Sequence, residues 1–117
     1  MRDFMNNFEL FSLIFLSLDA QWDNNPNEAL GDFLSDANPF LWTDICSADP
    51  AYYDDFCNFT DKHIVELNDS YKIAKVYIEK LGISEVAEAF MKTDEAQWFK
   101  AAKKYLSAPH KGEDLNV

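Results

Sequence analysis

Two cysteines, Cys46 and Cys57, and two histidines, His63 and His110, are the side chains that nucleophilic or metal chemistry would draw on first. Cys57 and His63 stand six residues apart, a separation that a helix end could close into a thiol–imidazole pair. A reactive thiol wants an electropositive setting, and this stretch is the most acidic in the chain. Cys46, Cys57 and His63 with one carboxylate have the ligand types of a zinc site. They lack the close Cys-x2–4-Cys pairing that makes such a signal specific, and reduced, buried thiols are the simpler reading. Asp23-x-Asn25-x-Asn27 begins like a calcium loop, but Glu28 stands where that loop needs Gly and Leu34 where it needs Glu. Gly31, Gly82 and Gly112 are isolated, so no Gly-rich phosphate loop exists, and neither G-x-S-x-G nor H-E-x-x-H occurs. No enzyme, metal site or cofactor is expected.

The carboxylates carry more information. Residues 1–61 hold twelve acidic side chains and one basic, Arg2, whereas residues 62–117 hold nine of each sign. The whole net charge of −11 therefore sits in the first half. Glu28, Asp32 and Asp36 fall at i, i+4 and i+8, one face of a helix, where like charges cost about 0.2–0.5 kcal/mol per pair. Asp44, Asp54 and Asp55 extend the patch, and Trp22, Phe33, Trp42, Tyr52 and Tyr53 are interleaved with it. One reading is a solvated face that aids solubility. The other is a surface for a basic protein, with aromatics as anchors and carboxylates steering association. The expected contact residues are Glu28, Asp32, Asp36, Trp42, Asp44, Tyr52, Tyr53, Asp54 and Asp55. The same charge repels nucleic acid.

These residues must be positioned by helices. Phe4, Phe8, Phe11, Phe15, Leu18 and Trp22 recur at spacings of three and four, which predicts a long first helix over residues 2–19, buried at its C-terminal half. Asn25-Pro26 predicts a second helix over 26–35, capped by Asn25 and burying Ala29, Leu30, Phe33 and Leu34. Asn38-Pro39 predicts a short helical turn, and Asp49-Pro50 a helix over 50–59. Residues 63–67 are the one place where a short strand or an extended linker fits. Tyr71, Ala74, Ile78 and Leu81 predict a helix stopped by Gly82, followed by one capped at Ser84 and a last one started at Thr93 or Asp94. The expected fold is all-α, a compact bundle of five or six helices with a long first helix and short middle ones. One domain over 1–108 is expected, with 109–117 a polar tail that frays.

Composition supports a packed core: 48% of residues are hydrophobic and 15% aromatic, so the charge does not imply disorder. Leu10 to Leu18 has the look of a signal-peptide core, but Asp3 and Glu9 are misplaced for one and Leu18-Asp19-Ala20 is a poor cleavage site. The run is also too short for a membrane span, which needs about 20 residues. A cytoplasmic protein without membrane contact is expected.

Phe33-Leu34-Ser35-Asp36-Ala37-Asn38-Pro39-Phe40-Leu41-Trp42, followed by Ser47-Ala48-Asp49-Pro50-Ala51-Tyr52-Tyr53, resembles small bacterial helical proteins, among them the immunity proteins of contact-dependent inhibition systems. The resemblance spans residues 30–60. It implies an acidic immunity protein that covers a toxic, often basic nuclease domain, and it carries over no binding residues. Expected from all this is an immunity or antitoxin-like inhibitor of a basic partner, a toxin or a nucleic-acid-binding protein. The alternatives are a homo-oligomeric structural or regulatory protein joined through the aromatic stripe of the first helix, and a Cys/His metal or thiol enzyme.

Overall fold

Asn6 and Glu9 decide where the first helix begins. The Asn6 side chain accepts the Glu9 backbone N–H at 2.8 Å, and the Glu9 carboxylate accepts the Asn6 N–H at 3.0 Å, a complete capping box. The computed structural model, which describes residues 2–24 and 26–116, accordingly starts helix α1 at Asn7 and ends it at Asp19. The residues just before it form strand β1 (Phe4–Asn6), paired antiparallel with strand β2 (Ile64–Glu66), Met5 opposite Val65. The expected helix over 2–19 is thus too long by a strand. Its burial is also reversed: Asn7 to Phe15 are continuously buried, whereas Leu16 and Trp22 are exposed. The cause is tertiary, because the β-ribbon and the C-terminal segment both cover the start of α1.

Helix α2 (Glu28–Ala37) is capped by Asn27, whose side chain accepts the Leu30 N–H at 2.8 Å. Expected as its cap, Asn25 lies outside the described residues. Leu30, Phe33, Leu34 and Ala37 are buried, and Ala29 is half-buried. The expected helical turn after Asn38-Pro39 is absent. There the chain makes an irregular loop over 38–48, closed at its neck by Ala48 N–H to Asn38 O at 2.8 Å. Helix α3 (Pro50–Thr60) starts with Pro50 in its first turn under an Asp49 cap, as its sequence predicts. It ends at Asp61, in the left-handed region at φ 51°.

Helix α4 (Leu67–Leu81) stops at Gly82, whose φ of 69° suits glycine. In helix α5 (Ser84–Met91) Ile83 takes the cap position, and Ser84 instead donates to the Glu85 carboxylate at 3.2 Å. Helix α6 (Glu95–Ser107) begins with an Asp94–Gln97 capping box. Among the described residues there are six α-helices, so the predominantly helical expectation holds, with a two-stranded ribbon added to it. Helix α1 packs against each of the other five. The second half closes around Trp98, fully buried, whose indole N–H donates to Ser70 Oγ at 2.8 Å. No helix among the described residues is long and apolar enough to cross a membrane.

Candidate functional site

Loop 38–48 is irregular in place of the expected helical turn, and several of its carbonyls have partners elsewhere in the chain. The Lys111 ammonium donates to the carbonyls of Pro39, at 2.8 Å, and Trp42. The Asn38 side chain accepts the Phe40 N–H, and the Trp42 indole N–H donates to Ala48 O at 3.2 Å. Ser47, completely buried, accepts the Tyr53 N–H at 3.0 Å and so ties the loop to α3. A loop of this size with touching ends is an Ω-loop, a form often used for function. It holds Phe40, Leu41 and Trp42 at 41%, 57% and 52% exposure, three large apolar side chains in a row facing water. Phe40 keeps an edge-on contact with Phe15 at 5.9 Å and Trp42 is tied by its indole N–H to Ala48 O, so Leu41 is the most exposed of the three.

Carboxylates flank this loop at both ends. Asp36 precedes it, Asp49 follows it, and the Asp49 N–H donates to Asp36 O at 2.7 Å. Tyr52 stands beside them with its ring edge-on to Phe33 at 5.5 Å. Partial burial, then Asp36, Asp49 and Asp32, push the Tyr52 hydroxyl above its ordinary pKa. Asp32, Asp36 and Tyr52 are therefore brought together. Glu28 and Asp32 also share a shallow depression with Glu85 of α5, a carboxylate from the charge-balanced half that sequence reasoning did not include. Glu28, Asp32, Asp36, Asp44, Asp54 and Asp55 are all exposed. Asp54 acts on Tyr53 and Asp55 on Tyr77.

Tyr53 is differently placed from the other expected anchors. Its ring packs edge-on against Phe8 at 5.6 Å and Phe11 at 5.4 Å, so it belongs largely to the core. Trp22 lies over Gly31, where an added Cβ would meet its ring at 3.1 Å.

The C-terminal segment, expected to fray, makes defined contacts over residues 110–112. Glu9 is a fully buried carboxylate held by Arg2 and by His110 Nε2 at 2.5 Å. The other ring nitrogen of His110 faces Ala108 O at 2.7 Å. The Glu9 hydrogen bond raises the Arg2 pKa. Gly112, at φ 86°, passes so close to Phe8 that a Cβ would approach its ring to 2.6 Å, and Gly112 O accepts from the Asn6 side chain at 2.9 Å. Lys111 lies 5.1 Å from the Phe8 ring centre while reaching loop 38–48. Three consecutive residues therefore strap the exposed loop to the start of α1. No spacing rule announces a contact between residues about a hundred positions apart.

Cys57 and His63 do line one cleft, of about 440 Å³, together with Asn7, Tyr53 and Lys62, whereas Cys46 lies in the Ω-loop. Both cysteines are free thiols. Among the described residues no group of three or more His, Cys, Asp or Glu side chains is arranged to hold a metal.

Comparison of the chain with known protein families, with curated proteins and with solved structures finds no match.

Proposed function

We propose that this chain is a non-catalytic protein-binding module of the cytoplasm, an immunity-like inhibitor that covers a basic effector with the surface formed by α2, the Ω-loop and the start of α3. The observation that carries this reading is the strapped loop. Leu41 and Trp42 are held out to water on a fixed backbone, with Asp36, Asp44 and Asp49 close by in sequence around them. Interfaces concentrate their binding energy in such preorganised aromatic and aliphatic anchors, and surrounding charge sets partner choice and association rate. Glu28, Asp32, Asp54 and Asp55 extend the acidic rim, and Tyr52 is a secondary anchor. A basic toxin and a nucleic-acid-binding protein are the partner classes this surface suits.

The rival homo-oligomer drew on the aromatic stripe of α1. Phe8, Phe11, Phe15 and Leu18 of that stripe are buried within the chain while Trp22 is exposed, which favours a heterologous partner over two copies joined through the stripe. A thiol or metal enzyme at Cys57 and His63 remains the other alternative, and alkylation of the thiols with elemental analysis for zinc tests it directly.

The deciding experiment is a pull-down of the tagged chain from its host, washed at rising salt and read by mass spectrometry. A single basic protein retained at low salt and released at high salt supports the proposal. That protein must then lose affinity for the Leu41→Ala, Trp42→Ala variant. Equal affinity for the variant removes the loop from the interface, and recovery of the bait alone as a larger assembly favours self-association.

A further inference from the structure

A second recessed surface has none of the acidic residues that flank the loop. Between the C-terminal half of α1 and the length of α6 runs a groove of about 510 Å³. That size falls within the roughly 300–1,000 Å³ range of small-molecule sites. Most of its exposed lining is apolar, from Leu13, Leu16 and Ala20 of α1 and its cap and from Ala101, Ala108 and Pro109 of α6 and beyond, with Ser17, Gln21, Thr93, Gln97 and Tyr105 set among them. The groove is open because α1 turns Leu16 outward while α6 faces it with alanine, too small to fill the space. Leu16 is 37% exposed, and Ala20, Ala101, Ala108 and Pro109 are exposed as well.

The charge of the lining distinguishes this groove from the rest of the molecule. The chain has 21 acidic residues, yet no Asp or Glu lines the groove, and its basic side chains are Lys104 and His110. His110 is already engaged by Glu9 and by Ala108 O. Lys104 is exposed, and no ion pair holds it among the described residues. A largely apolar channel with neutral polar side chains and one uncommitted cation on its wall fits a ligand with an apolar chain and a single negative head.

We propose that the groove binds a single-chain anionic amphiphile, of which a medium-chain fatty-acid carboxylate is the simplest member. The chain lies along Leu13, Leu16 and Ala101, and the carboxylate meets Lys104 Nζ. The full chain is titrated below the aggregation concentrations of decanoate, 1-decanol and decyltrimethylammonium, with calorimetry and amide chemical shifts as readouts. Decanoate should bind saturably at one per chain, with shifts centred on residues 13–20 and 97–108. Octanoate, two methylenes shorter, should bind more weakly by about fourfold per methylene. Decanol should bind at least about tenfold more weakly and the cationic amphiphile not measurably, because neither pairs with an ammonium. Lys104→Gln should lower decanoate to the level of decanol, and Lys104→Arg should restore it. Ala101→Trp should block decanoate while the circular dichroism and melting temperature stay unchanged, since Ala101 is exposed.

Any of four results overturns the proposal. These are no saturable binding, equal binding of decanol or the cation, shifts centred elsewhere, and a mass that rises with protein concentration as the groove residues shift. The last would make a second copy the occupant.

Discussion

The stretch from α2 to α3 and the stretch from α4 to α6 follow different rules. In α4 and α6 the last turn carries a lysine, Lys80 and Lys104, where the negative end of the helix dipole favours a cation. The large aromatics Phe90 and Trp98 are inside, and Tyr71, half-buried, donates its hydroxyl to Thr93 O at 3.0 Å. In α2 and α3 the last turn carries no cation, and Asp36 sits in the last turn of α2, where the dipole opposes it. Between those helices three large apolar side chains face water. Local choices that cost stability without a structural return concentrate at functional sites. Under the proposed function, the second stretch is the scaffold and the first is the surface that it supports.

The contrast is sharpest between two tryptophans. Trp98→Ala should cost about 3–5 kcal/mol, from the cavity it leaves and the broken bond to Ser70. Trp42→Ala, at an exposed position, should cost about 0.5 kcal/mol or less while weakening partner binding by about 2 kcal/mol or more. Urea denaturation of both variants is the check. A Trp42→Ala loss as large as that of Trp98→Ala would make the loop part of the core and erase the distinction.

The strap joining the two regions is the next point of attack. Glu9→Gln removes the buried carboxylate that Arg2 and His110 both contact, and should cost about 1–3 kcal/mol by leaving the Arg2 guanidinium without its anionic partner. Lys111→Met should cost less and act locally, speeding hydrogen exchange of the amides of residues 40–43, next to the Pro39 and Trp42 carbonyls that lose their donor. Unchanged exchange there would mean that the loop is rigid without its strap.

High pH probes the scaffold from within. Burial pushes the hydroxyls of Tyr53 and Tyr77 up, and Tyr105 to about 12 from an ordinary value of 10.0. For Tyr105 the nearby Ser12 hydroxyl offsets part of that rise. A raised folded-state pKa means that the unfolded chain releases its proton first. The stabilisation is therefore complete below pH 10.0 and is lost as the pH climbs to about 12. Tyrosinate absorbance followed with circular dichroism should show these three residues ionising together with unfolding. Ionisation of all five tyrosines before any loss of helix would contradict the burial assigned to them.

Much of this fold was legible in the sequence, for local reasons. Asp49-Pro50, Gly82 and Asp94 mark helix ends through interactions spanning a few residues, and each works where its pattern predicts. What was illegible is non-local. Phe4 to Asn6 continue the apolar stripe of α1 yet form a strand, because Ile64 to Glu66 pair with them. Asn38-Pro39 has the signal of a helix start, but the loop there is irregular, and Lys111, more than sixty residues away, reaches two of its carbonyls. The candidate site divides the same way. The exposed carboxylates were visible as a charge run, whereas the exposure of Leu41, the engagement of Tyr53 by the core and the arrival of Glu85 depend on the fold.

The smallest effect separates charge placement from charge amount. Glu28 and Asp36 lie on one face of α2, the former in the first turn and the latter in the last. Lysine at either position lowers the net charge of −11 by the same amount, so relief of overall repulsion is common to both variants. The dipole contribution has opposite sign at the two ends. Asp36→Lys should gain about 0.3–1 kcal/mol and Glu28→Lys lose a similar amount, at low ionic strength, with the difference shrinking as salt is added. Both should slow association with a basic partner, since each reverses a charge on the same rim. If Asp36→Lys is the more stable protein and the slower binder, the native aspartate is retained at a cost to the helix, as a binding surface requires. A variant that is more stable and binds at an unchanged rate would show that Asp36 serves solubility alone.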